Sequence, residues 1–270
     1  MKLILMGTND FVVPVFDDLA NKHTILGVFT RAPKPMGRKH VLTSSPVHAW
    51  ADKRGLNVHT SIKEFDSVNE KPDAIIVMSY GVILRDNVLS AAQCINIHPS
   101  SLPKYRGPSP IKTAILNGDT NMDVCLMSMV AEMDAGDVYM RKNIVIDEND
   151  THTDIEAKVS KIAIEMLDEY LKNPDNYVAV KQTGEPTFTR KFDGNDEIID
   201  WNKTSRQIHN QIRALGCGRT KINGIDVKIL KTKITNGIFE IVTIQPAGKN
   251  AMDWKSFVNG LRGAEIQYGI

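Results

Sequence analysis

Through about the first hundred residues, short runs of almost unbroken aliphatic side chains, "KLILMG", "TILGVFT", "DAIIVMSYG" and "CINIH", alternate with segments of mixed polarity such as "PVFDDLANK" and "SPVHAWADKRG". A strand that is apolar on both faces must be covered on both faces, and helices between such strands supply the cover. The pattern predicts a doubly wound α/β fold with a mostly parallel, Rossmann-like sheet. Ligands of such sheets bind beyond the carboxyl ends of the strands, so the loops after Met6, Phe29, Met78 and Ile97 are expected to meet at one crevice.

Downstream, "DVCLMSM" and "DVYMRKNIVI" read as the last strands of this domain, and "THTDIEAKVSKIAIEMLDEYLKN" as a long helix. Thr153 and Glu156 have capping-box spacing, and Ile155, Val159, Ile162, Ile164, Met166 and Leu167 supply an apolar stripe. The stretch from Asn173 to Trp201 is rich in Gly, Pro, Asn and Asp and reads as a linker. After it come one helix, "TSRQIHNQIRALG", and strand-like pieces that predict a small, OB-like β-barrel. The expected organisation is a catalytic domain over 1–180, a linker over 181–202 and a β-rich domain over 203–270.

With 42% hydrophobic and 24% charged residues, the composition is that of a folded domain rather than a disordered chain. The N-terminal apolar run is short for a signal peptide, and no run approaches the length of a membrane span, so a cytoplasmic protein without membrane contact is expected. Three cysteines, an odd number with no CxxC spacing, argue against a disulfide framework or a zinc site. The net charge of +1 conceals an asymmetry. Residues 1–202 carry 22 Lys and Arg against 28 Asp and Glu, a balance of −6, whereas 203–270 carry 11 against 4, a balance of +7. A basic C-terminal region on an acidic body suggests a polyanionic partner such as nucleic acid, although a solvated basic face would have the same balance.

The first strand is followed by "MGTNDF", where a dinucleotide site would carry G-x-G-x-x-G; with Gly7 alone, a nicotinamide or flavin site is disfavoured. In "NIHPSS", strand alternation puts Asn96 and His98 on one face, aimed at the strand's carboxyl end. A carboxamide donor can hold a developing oxyanion, and an imidazole can donate to it or move a proton near neutral pH. On the motif alone, catalysis and simple hydrogen bonding to loop backbone both remain open. "EMDAGDVYM" supplies Asp134 and Asp137 in a Gly-containing loop; a carboxylate facing His98 would orient it, and two aspartates shaping a turn are the alternative. No His or Cys stands at ligand spacing beside these acids, so no metal is expected. "RAPKPMGRKH" gathers Arg31, Lys34, Arg38 and Lys39 in a loop able to meet phosphates.

Asn96, His98, the run "SSLPKYRG" and Asp134 in "MDAGD" resemble the superfamily that transfers formyl from 10-formyltetrahydrofolate. "GTNDF", "RAPKPMGRKHVLTSSPV", "IIDW", "QIRAL" and "IQPAGKNAM" resemble its tRNA-acting branch, the methionyl-tRNA formyltransferases. The resemblance implies formylation of the methionine α-amine on initiator methionyl-tRNA, with Asn96, His98 and Asp134 catalytic and 10-formyltetrahydrofolate as co-substrate. It places the folate along Met78, Ser79, Tyr80, Gly81, Val82, Ile83 and Leu84 and beside Ser100, Ser101, Leu102 and Pro103. It assigns Arg38, Lys39, Lys221 and Lys228 to the tRNA, in a protein expected to be monomeric. Ser101 departs from the family's leucine, a loss of about 1 kcal/mol if the site is buried, and the second domain reads as trimmed by some tens of residues. Formylation of a nucleotide-linked amino sugar is the rival within the reaction class, and a non-catalytic folate- or RNA-binding protein the rival outside it.

Overall fold

The computed structural model describes residues 1–37 and 40–269. They form two compact units whose members interleave along the chain: 1–108, 123–144 and 156–188 make the first, and 109–122, 145–155 and the chain from Thr189 onward the second. Of the stretch expected as a linker, residues up to Phe188 group with the first unit.

The first unit is organised by a seven-stranded sheet in the order β5-β2-β1-β6-β7-β8-β9. Its strands are β1 (Lys2–Gly7), β2 (Thr24–Phe29), β5 (Val58–His59), β6 (Ala74–Met78), β7 (Gln93–His98), β8 (Asn121–Ser128) and β9 (Val138–Val145). Pairing is parallel from β5 to β7 and antiparallel between β7 and β8. Every residue of β6 is buried, as its continuous apolar run requires. The helices α1 (Val13–Lys22), α2 (Pro46–Lys53) and α3 (Asp86–Leu89) connect the parallel strands. α1 buries Val15, Phe16 and Leu19, while Ser45 caps α2 by accepting from the His48 amide. Within the loop after β2 the chain forms a hairpin of β3 (Lys34–Met36) and β4 (Val41–Thr43); Arg38 and Lys39 lie outside the described residues.

The long helix is α5 (His152–Lys172). Its capping box is Thr151 with Asp154 rather than Thr153 with Glu156: the Asp154 amide donates to Thr151 Oγ1 at 3.3 Å and the Thr151 amide to Asp154 Oδ2 at 2.9 Å. "THTD" and "TDIE" carry the same signature two residues apart, and the earlier one caps the helix. The buried stripe runs Ile155, Val159, Ala163, Met166, Leu167 and Tyr170, with Ile162 and Ile164 half-buried beside it.

The second unit contains α4 (Pro110–Asn117), α6 (Ser205–Leu215), α7 (Trp254–Gly260) and an antiparallel sheet in the order β13-β12-β11-β10-β14. The strands are β10 (Gly218–Ile222), β11 (Ile225–Thr235), β12 (Ile238–Pro246), β13 (Met252–Asp253) and β14 (Tyr268–Gly269). Asn223-Gly224 and Asn236-Gly237 make the two tight hairpin turns, each with positive φ at both residues, the geometry that suits twisted antiparallel strands. Ile208 and Ile212 of α6 pack with Ile199, Ile229 and Ile241, and Phe257 of α7 packs with Ile222, Val227 and Ile244. A Thr204–Gln207 capping box opens α6, and Gly216, with φ 87°, closes it.

Candidate active site

On β7, alternation turns Asn96 and His98 to one face, opposite Met127 and Cys125 of β8. Both are nearly buried, Asn96 9% and His98 5% exposed. His98 Nε2 lies 3.0 Å from the carbonyl oxygen of Tyr105. A carbonyl only accepts, so this contact assigns a proton to Nε2 and leaves Nδ1 facing Asp134, whose Oδ2 is 3.8 Å away. Asp134 Oδ2 also accepts from the Gly107 amide at 2.7 Å, and Oδ1 lies 3.5 Å from Asn96 Nδ2. The structure thus brings together the three residues proposed from sequence, an amide donor, an imidazole and a carboxylate.

The turn that carries Asp134 is specialised. Asp134 itself has φ 53°, a left-handed conformation that Asp tolerates better than most residues. Two residues on, Gly136 passes so close to β8 that a Cβ would stand 1.9 Å from the Ser128 carbonyl oxygen.

Three further residues support this cluster. Gln182 Nε2 donates to the carbonyls of Asp134 and Gly136, both at 2.8 Å. Gln182 Oε1 accepts from Arg106 Nε and Nη2 at 3.1 and 2.9 Å, while Arg106 Nη1 donates to Glu132 Oε1 at 2.8 Å. Thr187 Oγ1 accepts from the Tyr105 amide at 2.9 Å; its own amide donates to the Pro103 carbonyl, and its carbonyl accepts from the Arg106 amide. Gln182 and Thr187 belong to a segment that reads as linker in the sequence, with no periodicity or motif to mark them.

The loops after β1 and β6, at the carboxyl ends of those strands, also meet. Asn9 Nδ2 donates to Ser79 Oγ at 2.8 Å, and Thr8 Oγ1 to the Tyr80 carbonyl at 3.4 Å. In "MSYGVIL", Met78, Tyr80 and Leu84 are buried, while Val82 and Ile83 face solvent, Ile83 at 82% exposure. Burial pushes the Tyr80 phenol up to about 12. Ser79 and Gly81 have left-handed backbone, at φ 51° and 68°. Ser100 is fully buried and its hydroxyl has no partner among the described residues; Leu102 is buried before a cis bond to Pro103. Ser101 is half-buried, and its Oγ accepts from the Asp123 amide at 3.0 Å. The serine therefore satisfies a backbone donor of β8 instead of leaving an apolar gap. Lys221 and Lys228 are exposed on β10 and β11 of the second unit, Lys228 directly across from Arg219.

Cys94, Cys125 and Cys217 are free and buried. Burial pushes the thiols of Cys94 and Cys125 up to about 11, which keeps them protonated. Among the described residues no cluster of three His, Cys, Asp or Glu side chains is placed to hold a metal ion, and no helix is long and apolar enough to cross a membrane.

An α/β sheet with a carboxamide, an imidazole and a carboxylate gathered at its carboxyl edge defines a class of group-transfer site, and the family models specify it. Residues 1–171 match the formyl transferase model and residues 191–238 the model of the formyl transferase C-terminal domain, so the chain belongs to the formyl transferase family. Its curated relatives include the methionyl-tRNA formyltransferase of Ehrlichia ruminantium (strain Welgevonden), 42% identical over 80% of this chain and 74% of the relative. That of Ehrlichia chaffeensis is 36% identical over 96% of this chain and 97% of the relative. Among solved structures, methionyl-tRNA formyltransferase from Clostridium thermocellum superposes with a TM-score of 0.67 at 17% identity, covering 93% of this chain and all of the other. An N-formyltransferase from Helicobacter canadensis, in complex with folinic acid and dTDP-3-aminofucose, superposes at 0.68 with 22% identity, over 87% of this chain and 88% of the other. At these identities the two structures support the fold.

Proposed function

We propose that the protein transfers the formyl group of 10-formyltetrahydrofolate to the α-amine of methionine on initiator methionyl-tRNA, for translation initiation. The observation that carries the proposal is the convergence of Asn96, His98 and Asp134 in a chain this similar to named methionyl-tRNA formyltransferases.

The uncharged amine attacks the formyl carbon and forms the new C–N bond. Asn96 Nδ2 then donates to the tetrahedral oxyanion, while His98, whose Nε2–H is held by the Tyr105 carbonyl, offers Nδ1 to the proton that leaves the amine and stabilises the oxyanion through the positive charge it gains. Collapse breaks the bond to folate N10, which takes up the proton that the amine gives away, and products are the formylated amine and tetrahydrofolate. Asp134 orients His98 and stabilises positive charge on it while protons move.

The folate-binding role of Met78 to Leu84 and Ser100 to Pro103 fits the crevice: one loop carries an apolar lip at Val82 and Ile83, and the other holds the buried Ser100 hydroxyl, which has no hydrogen-bond partner among the described residues. Lys221 and Lys228, with Arg38 and Lys39, are proposed to hold tRNA phosphates. Arg219 directly opposite Lys228 supports this, since like charges across a strand pair repel until an anion lies between them. We further infer a monomer acting in the cytoplasm, with catalysis in residues 1–180 and tRNA binding in 203–270.

Salt dependence tests the tRNA assignment. Binding of charged initiator tRNA is expected to weaken steeply with ionic strength, and the pair Lys221→Ala and Lys228→Ala to reduce the log–log salt slope by about two. An unchanged slope in the double variant would remove these lysines from the interface.

A further inference from the structure

We propose that Gln182 and Thr187 are positioning residues for formyl transfer, holding in register the two loops that set the geometry of His98 without touching the reacting groups. The inference deepens the proposed formyl transfer and rests on it for its kinetic test.

His98 has two orienting partners on different loops: the Tyr105 carbonyl at Nε2 and the Asp134 carboxylate near Nδ1. Both residues have left-handed backbone, φ 63° at Tyr105 and 53° at Asp134, a conformation that persists in non-glycine residues when the surroundings hold it. The 180–188 segment supplies those surroundings. It begins with a reciprocal backbone pair between Val180 and Val138, at 2.8 and 2.9 Å. The Gln182 carboxamide then spends both N–H groups on the Asp134 turn and both oxygen lone pairs on Arg106, so its hydrogen-bonding capacity is filled. Five residues on, Thr187 grips the other loop through three contacts, accepting from the Tyr105 amide with its hydroxyl and pairing with Pro103 and Arg106 through its backbone. The Gln182 side chain fixes the turn from which Asp134 projects. Thr187 fixes the other loop, its hydroxyl holding the Tyr105 amide and its backbone carbonyl holding the Arg106 amide of the peptide whose carbonyl accepts from His98. The Gly107 amide, next to Arg106, closes the circuit by donating to Asp134.

The discriminating variants are Gln182→Glu, which keeps the acceptor for Arg106 but faces an oxygen toward the Asp134 and Gly136 carbonyls, and Thr187→Val, which removes only the hydroxyl. Displacements of the order of 1 Å at a reacting centre cost up to about a hundredfold in rate. Gln182→Glu is expected to lower kcat by about tenfold to a hundredfold and Thr187→Val by less, with KM for folate and for tRNA within about twofold of wild type. Thr187→Ser, which retains the hydroxyl, is expected to restore wild-type kcat. Wild-type kcat in Gln182→Glu, or a loss of kcat matched by a loss of folded protein in thermal unfolding, would overturn the proposal.

Nitrogen-15 spectra of imidazole-labelled protein read the same arrangement without turnover. Wild type is expected to show His98 protonated at Nε2, with slowed exchange that both variants accelerate. Should the wild-type protein formylate no methionyl-tRNA, the functional reading fails while this spectrum still decides the positioning role: Nε2 protonation and exchange unchanged in the folded variants would refute it.

Discussion

Replacing Asp134 by Asn probes the site with little change of shape. The asparagine oxygen can still accept from the Gly107 amide, now 2.7 Å from Oδ2, so the turn keeps its anchor. What is lost is the negative charge 3.8 Å from His98 Nδ1, at a side chain only 16% exposed. Two unit charges at that separation attract by ~4 kcal/mol at an effective dielectric of about 20. Each 1.36 kcal/mol is a factor of ten in rate, so full loss of that attraction in the transition state corresponds to about 10³, and partial charge development to about 10². Asp134→Asn is therefore expected to reduce kcat by about 10² to 10³. The assay is single-turnover formylation of methionyl-tRNA at saturating folate, with thermal unfolding as the control for fold. A folded Asp134→Asn enzyme within fivefold of wild type would refute the electrostatic role assigned to this carboxylate.

Two further outcomes concern stability. Ser101→Leu deprives the Asp123 amide of its acceptor, so it is expected to destabilise the protein by about 1 kcal/mol in denaturant unfolding, where a buried apolar gap at Ser101 would have made leucine stabilising. His209 is fully buried, with Nε2 donating to the Glu148 carbonyl and Nδ1 bonded to the Thr232 hydroxyl, and burial lowers its pKa. The unfolded histidine takes a proton near 6.5 while the folded one resists it. The stability at stake is thus complete above about pH 6.5 and declines as pH falls toward the folded value, a direction that His23 and His152, also lowered by burial, reinforce. His209→Gln is expected to flatten the decline in unfolding free energy between pH 7.5 and 5.5; an unchanged slope would exclude His209 as its source.

The parallel sheet was legible because its strands are buried on both faces and so carry unbroken aliphatic runs, as β6 does. The placement of Asn96 and His98 on one face at the strand's carboxyl end was legible in the same way, since strand alternation and the carboxyl-edge rule need only a strand and its direction, whereas a catalytic role for them rests on the family resemblance. The cap of α5 was misplaced because overlapping Thr-x-x-acid pairs look alike locally, and which one caps the helix depends on where the preceding chain arrives. α4, α7, the short strands β13 and β14 and the β3–β4 hairpin escaped because each is too short for periodicity to separate from a polar loop. Gln182, Thr187 and the Tyr105 carbonyl were illegible for a different reason. Their roles are hydrogen bonds to backbone groups 46 to 82 residues away in sequence, or in the case of Tyr105 are carried by backbone that every residue possesses.

The most direct test of the central claim is a comparison of acceptors: purified protein with 10-formyltetrahydrofolate, given charged initiator methionyl-tRNA in one reaction and a nucleotide-linked amino sugar in the other. Rapid formylation of the tRNA, nearly abolished in His98→Ala and negligible for the sugar, is the expected result. Preferential formylation of the sugar nucleotide, or formylation of the tRNA that survives intact in His98→Ala, would contradict it.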